Sequence, residues 1–255
     1  MIVTNDKNIK EIVSAEIKRL GNEADLNHID VSQVTDMKYV FKSTRFNGDI
    51  SKWNVSSVEF MQEMFADSNF NRDISKWDVG NVKDMSWMFS ISKFNQDISG
   101  WDVSNVKSMR GMFYESKFNQ DISNWDVSNV ENMNYMFQNS QFNGDISKWN
   151  ISKVKEMFGM FYNSQFNQDI SSWDVGNVKE MRGMFYKSQF NQDISKWNIN
   201  LKILKEVPLN FDNNAVDNNN FLLLLFNSFE YKNKIKFNNL SRKVYINHIR
   251  KRLKI

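Results

Sequence analysis

A single period governs this sequence. The string "FNQDISNWDV" at residues 118–127 recurs, with close relatives, at Phe46, Phe70, Phe94, Phe142, Phe166 and Phe190. Each unit reads F-N-x-D-I-S-x-W-[DN]-[VI]-x-x-V-x-x-[MF]-x-x-M-F-x-x-S-x and is 24 residues long. Six complete units run from Phe46 to Gln189; a degenerate one precedes them (Asn22 to Arg45) and a broken one follows, from Phe190 to about Ile199. Self-similarity at a fixed period dictates architecture, because one unit cannot bury its apolar face without its neighbours. The period never slips by a residue, so every unit must trace a path of equal length. A solenoid is the expected outcome.

Inside a unit the hydrophobic spacing changes. Trp125 and Val127 are two apart and share one side of an extended segment, whereas Val130, Met133, Met136 and Phe137 fall on one face of a helical turn. A short strand followed by a short helix or 3-10 segment resembles the leucine-rich repeat. The template L-x-x-L-x-L-x-x-N-x-L meets Ile-x-x-Trp-x-Val-x-x-Val, with the usual Asn replaced by Val130 and by Val58, Val82, Val106, Val154 and Val178. The string "FNQDISxWDVSNVxxMxxMFxxS" is similar to the BspA-like leucine-rich-repeat proteins over about residues 22–200. That family is found mostly among bacterial cell-surface and lipoproteins, with further members in protists. The resemblance implies an α/β fold: a right-handed solenoid of leucine-rich-repeat type, each coil carrying a short parallel strand and a short helix or 3-10 segment. It implies surface adhesion as the role. It also implies that an asparagine ladder must come from elsewhere in the unit, with Asn119 or Asp121 as candidates.

The repeated residues read as scaffold. The Trp column (Trp53, Trp77, Trp101, Trp125, Trp149, Trp173, Trp197) occupies a slot that the template fills with Leu, which favours a buried stack over a ligand platform. Met64, Met88, Met112, Met136, Met160 and Met184 read as core filler rather than a metal track. Like charges in the Asp column (Asp49, Asp73, Asp97, Asp121, Asp145, Asp169, Asp193) need compensation, either by backbone N–H groups in Asx turns or by a cation. The Gly-rich nonapeptides of calcium-binding rolls are missing, so the turn is expected. Ser51, Ser75, Ser99, Ser123, Ser147, Ser171 and Ser195 are expected to bridge successive coils. They are not nucleophiles, since the chain has only His28 and His248 to serve as bases. With no phosphate loop, dinucleotide fingerprint or zinc-protease motif, neither an enzyme nor a cofactor or metal site is expected.

A partner must then be read by the positions that vary. The residues flanking each Trp, such as Lys148, Asn150, Ser172 and Asp174, would form a polar stripe on a concave face, unlike the dense basic track of a nucleic-acid groove. A second variable patch lies on the helical side: Tyr114, Tyr162 and Tyr186 in one slot, Arg110 and Arg182 in another, Trp87 and Tyr135 in a third. Aromatic and Arg residues are the usual binding hot spots, so these seven are the candidate partner-binding residues.

The ends differ from the middle. Ile9, Ile12, Val13, Ile17 and Leu20 recur at helical spacing before Gly21, predicting an amphipathic helix over Lys7–Leu20 that caps the array within an N-terminal segment 1–21. Residues 22–200 form the repeat array, and residues 201–255 a C-terminal cap, with "FLLLLFNSF" as its helix, followed by a basic tail. Residues 201–255 hold eleven Lys/Arg against four Asp/Glu, a net +7, which leaves −4 on residues 1–200. Nucleic acid or an anionic surface is therefore the alternative partner to protein. The longest apolar run, Phe221–Phe226, is too short to cross a bilayer, and the charged N-terminus lacks a secretory apolar core. The sequence thus points to a cytoplasmic address where the resemblance points to the cell surface, and to a monomer that binds a protein.

Overall fold

The computed structural model describes residues 2–194 and 196–199, so the segment expected to form the C-terminal cap and tail lies outside the described residues. The chain begins with β1 (Ile2–Val3), continues into α1 (Ile9–Leu20) and reaches β2 (Ile29–Asp30), with which β1 pairs in parallel. The predicted cap helix forms, starting two residues later than its pattern suggested. Glu11 in its first turn and Lys18 and Arg19 in its last suit the helix dipole, and Gly21 ends it at φ 95°. Ile9 and Val13 are buried in the core and Ile12 and Ile17 pack on it, but Leu20 is exposed, contrary to its assignment to the apolar face.

The cap also satisfies polar groups. Beyond the first repeat no carbonyl is available to Thr35 and Asp36, and the Asp6 carboxylate takes that place. Its Oδ1 accepts the N–H groups of Thr35 at 2.7 Å and Asp36 at 3.0 Å, and its Oδ2 the Thr35 hydroxyl at 2.7 Å. Glu16 on α1 accepts from Arg19 and lies 2.8 Å from His28, which together hold its carboxyl at about 2.

The repeats stack through hydrogen bonds between equivalent positions in successive units. They do so without the expected strand and helix. Among the described residues β1 and β2 are the named strands; apart from Asp25↔Asp49, the isolated parallel bridges fall just before the first Met of each unit, from Asp36↔Phe60 through Glu156↔Glu180. At the Trp segment the chain turns instead: Trp125 N–H donates to Ile122 at 3.2 Å and Val130 N–H to Val127 at 2.9 Å. Apolar residues three apart mark the two ends of these turns.

The segment read as helical is a run of turns with alternating hydrogen-bond direction. Met133, Tyr135, Phe137 and Asn139 donate to Glu156, Phe158, Met160 and Tyr162 of the following unit at 2.8–2.9 Å. The intervening Met136, Gln138 and Ser140 donate back three residues within their own unit. A helix would send every N–H four residues back along the same chain and keep every φ negative. Here Tyr135 (φ 61°) and Asn139 (φ 55°) sit at the third positions of turns, where type II geometry favours Gly or Asn. The same two positions recur in each unit, from Tyr39 and Ser43 to Gly183 and Lys187.

Side chains fill the space these turns enclose. The Ile, Trp, Val, Met and Phe columns are buried from Leu26 to Trp197 apart from the half-buried Phe190, and Trp125 is 3 % exposed. Phe46, Phe70, Phe94, Phe118, Phe142, Phe166 and Phe190 stack one above another at 6.2–6.4 Å, and a second Phe column from Phe41 to Phe185 stacks beside it at 5.3–5.9 Å. Where one unit passes into the next the two columns meet at 4.1–4.9 Å, as between Phe113 and Phe118 at 4.1 Å.

Candidate recognition surface

Most invariant polar side chains are occupied by the scaffold. Asn119 Oδ1 accepts the N–H of Asn143 at 2.8 Å while Asn119 N–H donates to Asn95 Oδ1 at 2.9 Å, and the ladder runs unbroken from Asn47 to Asn191. Asp121 acts within its own unit, accepting the N–H of Ser123 at 2.8 Å. Asp49, Asp73, Asp97, Asp145 and Asp169 do the same. Backbone and hydroxyl donation from that Ser holds each carboxyl below the ordinary aspartate range. Ser51, Ser75, Ser99, Ser123, Ser147 and Ser171, expected to bridge coils, therefore turn their hydroxyls to the Asp of their own unit. Each indole Nε1–H of the Trp column reaches the carbonyl 27 residues back, Leu26 for Trp53 and an Ile for the others, as Trp125 does to Ile98 at 3.1 Å. The Trp slot thus supplies a donor that Leu cannot.

The stripe flanking Trp is exposed but partly committed. Asn54, Asp78, Asp102, Asp126, Asn150 and Asp174 each accept the N–H two residues on. Asn81, Asn105, Asn129 and Asn177 add a second inter-unit ladder by donating to carbonyls of the preceding unit at 2.7–2.8 Å. The recurrence of "NV" after Ser or Gly in four of the six complete units hinted at it in the sequence.

The aromatic candidates stand apart from these ladders. Four of the seven converge. Trp87, Tyr114 and Tyr135 are half-buried and Arg110 is exposed. The Trp87 ring meets Tyr114 edge-on at 5.4 Å and lies over Tyr135 at 6.0 Å. The Arg110 guanidinium carbon is 5.6 Å from both the Trp87 and the Tyr135 ring centres, a double cation–π contact. A hydrogen bond to Glu115, with burial second, pushes the Tyr114 hydroxyl up.

Gly111 makes this packing possible. It adopts φ 60°, and a Cβ there would lie 2.2 Å from Trp87 Cε3. The indole rests on bare backbone. Tyr135 continues the cluster to Phe158, edge-on at 5.2 Å, and Phe158 lies 5.6 Å from the Arg182 guanidinium. Phe158 shares the slot of Arg110 and Arg182 and escaped the candidate set, although its aromatic character in a polar column was a usable signal. Arg182 is also held by Glu180, with Nε at 2.9 Å from Oε2. Tyr162 and Tyr186 stack on one another at 5.0 Å as a separate pair.

Among the described residues no group of His, Asp or Glu converges to hold a metal ion, and no helix is long and apolar enough to cross a membrane. No curated protein and no solved structure matches this chain. Two overlapping tandem matches, over residues 7–122 and 114–222, are to one family, and together they cover most of the chain and its repeats. The chain is a repeat protein and belongs to the family described as "Mycoplasma protein of unknown function, DUF285".

Proposed function

We propose that this chain is a non-catalytic protein-recognition or adhesion module whose stacked repeats form a right-handed solenoid of the leucine-rich-repeat type. Parallel pairing at a constant offset of 24 residues supports the solenoid reading, and the resemblance to BspA-like repeats supports adhesion. One observation carries the recognition reading: Trp87, Arg110, Tyr114 and Tyr135 gather into one contact cluster outside the buried core. Half-buried rings can cover large areas at modest entropic cost, whereas isolated exposed ion pairs such as Lys155–Glu131 contribute little.

The test is affinity capture by immobilised full-length protein, comparing the native chain with Tyr135→Ala and with Lys148→Ala/Asp174→Ala. A partner lost on Tyr135→Ala and kept on the paired stripe variant supports the aromatic surface. Loss only with the stripe variant would assign recognition to the flank of the Trp column. A second reading rests on the net +7 of residues 201–255, which would bind polyanions with a steep salt dependence. Titration with an oligonucleotide at two salt concentrations tests it, and unchanged affinity would exclude it.

A further inference from the structure

We propose that Arg110 is the receptor for a carboxylate of an acidic peptide segment, an inference that rests on the recognition reading of the aromatic cluster. The repeat presents the slot of Arg110 once per unit. Lys38 pairs with Asp36 at 3.0 Å, Gln62 bonds Asp84 at 2.7 Å, Asn134 approaches Glu156 at 3.5 Å, and Arg182 is held by Glu180. Each long polar side chain in the slot finds a carboxylate in its own unit or the next. Arg110 does not. Two residues before it, where Asp36 and Glu180 stand in their units, there is Ser108, whose hydroxyl is engaged with Ser86 at 2.8 Å. Among the described residues no carboxylate lies within ion-pair distance of Arg110.

The guanidinium is nevertheless positioned. Trp87 and Tyr135 contact it equally, and Gly111 lets the indole settle flat behind it. A planar fork held between rings and lacking its own acid is suited to bidentate carboxylate recognition. Tyr114, edge-on to Trp87, widens the apolar floor for the residues flanking that acid. Charge complementarity therefore selects an Asp- or Glu-bearing peptide with apolar neighbours.

The experiment pans a displayed random peptide library against the full-length protein, then measures enriched peptides and their Glu→Gln counterparts by fluorescence anisotropy. Enriched sequences should carry Asp or Glu, and the Gln counterpart or the Arg110→Gln variant should weaken binding about 10-fold. Arg72→Gln, at an Arg paired with Glu23 and outside the candidate residues, should leave affinity unchanged, and Arg110→Lys should recover only part of the loss. Peptides that depend on Tyr135 but are indifferent to Arg110→Gln would overturn the carboxylate inference while sparing the recognition surface. No enrichment dependent on Tyr135 would overturn both. Arg110-dependent self-association or oligonucleotide binding, without acidic-peptide binding, would assign the site to another occupant and overturn the proposal.

Discussion

Three glycines occupy one backbone slot and differ only in what lies over them, which makes a graded experiment. Gly111, Gly159 and Gly183 have φ of 60°, 59° and 64°. A Cβ at Gly183 would find Tyr162 Cδ2 at 3.9 Å, an ordinary contact. Gly183→Ala should therefore carry the left-handed penalty alone, about 1 kcal/mol once the reduced freedom of the unfolded chain is set against it. At Gly159 the Cβ would meet Tyr135 Cδ1 and Gln138 Oε1 at 3.3 Å, ends of side chains that can shift by tenths of an ångström. Its cost should be about 1–2 kcal/mol. At Gly111 the Cβ would lie 2.2–2.5 Å from three atoms of the Trp87 ring, so the ring must leave. Exposing about 100 Å² of half-buried indole at about 25 cal/mol per Å² adds roughly 2.5 kcal/mol, for a total near 3–4 kcal/mol. Urea denaturation followed by circular dichroism, on all three variants and on Gly111→Ala in a Trp87→Ala background, measures the series. The Trp87→Ala background should return the Gly111 cost to about 1 kcal/mol. Equal costs at the three glycines, or no relief in the double variant, would refute the placement of Trp87 and with it the geometry of the Arg110 site.

Trp125→Leu should destabilise by about 2–4 kcal/mol, since it leaves a void and removes the indole donor from Ile98; a loss below about 1 kcal/mol in urea would contradict the ladder. The lowered carboxyls of the Asp column and Glu16 give stability that is complete above their ordinary values of 3.8 and 4.5 and is lost as pH falls through the depressed ones. Urea midpoints should accordingly stay level from pH 7 to 5 and decline below pH 4, and a decline that begins above pH 6 would point to other groups. Adding EDTA should leave the melting temperature unchanged, because Ser N–H groups satisfy Asp97, Asp121 and Asp145; a fall of several degrees reversed by calcium would overturn that assignment.

Side-chain spacing reported burial well and backbone direction poorly. The columns through Trp125, Met136 and Phe137 are buried as their recurrence required, and the cap helix was readable from Ile9, Val13 and Ile17. Val130, Met133, Met136 and Phe137 share a face without forming a helix, because consecutive turns also return the chain to one side every third residue. Nothing in that spacing distinguishes an N–H bonded within the unit from one bonded to the next. The left-handed slot was obscured for a similar reason. Gly111, Gly159 and Gly183 advertise it, but Tyr39, Glu63, Trp87 and Tyr135 fill the same position elsewhere and pass for ordinary variation. The aromatic cluster was legible as residue type; its dependence on the bare backbone at Gly111 was not.

The ladders also restrict how such a sequence can change in length. Asn119 bonds the residue 24 positions ahead, and Trp125 Nε1 bonds a carbonyl 27 positions behind. Deleting a few residues from one unit would put every column above the lesion out of phase with every column below it. Removing or duplicating a whole unit restores each joint, since the Asn, Trp and Phe on either side meet equivalent partners. Tolerated insertions and deletions inside the array are therefore quantised in steps of one unit. Copy number can drift by unequal recombination between near-identical units while the cap at α1 and Asp6 is kept. Each such event would slide the cluster around Arg110 along the array without disturbing its internal geometry, provided the exchange falls outside the units that carry Trp87 to Tyr135.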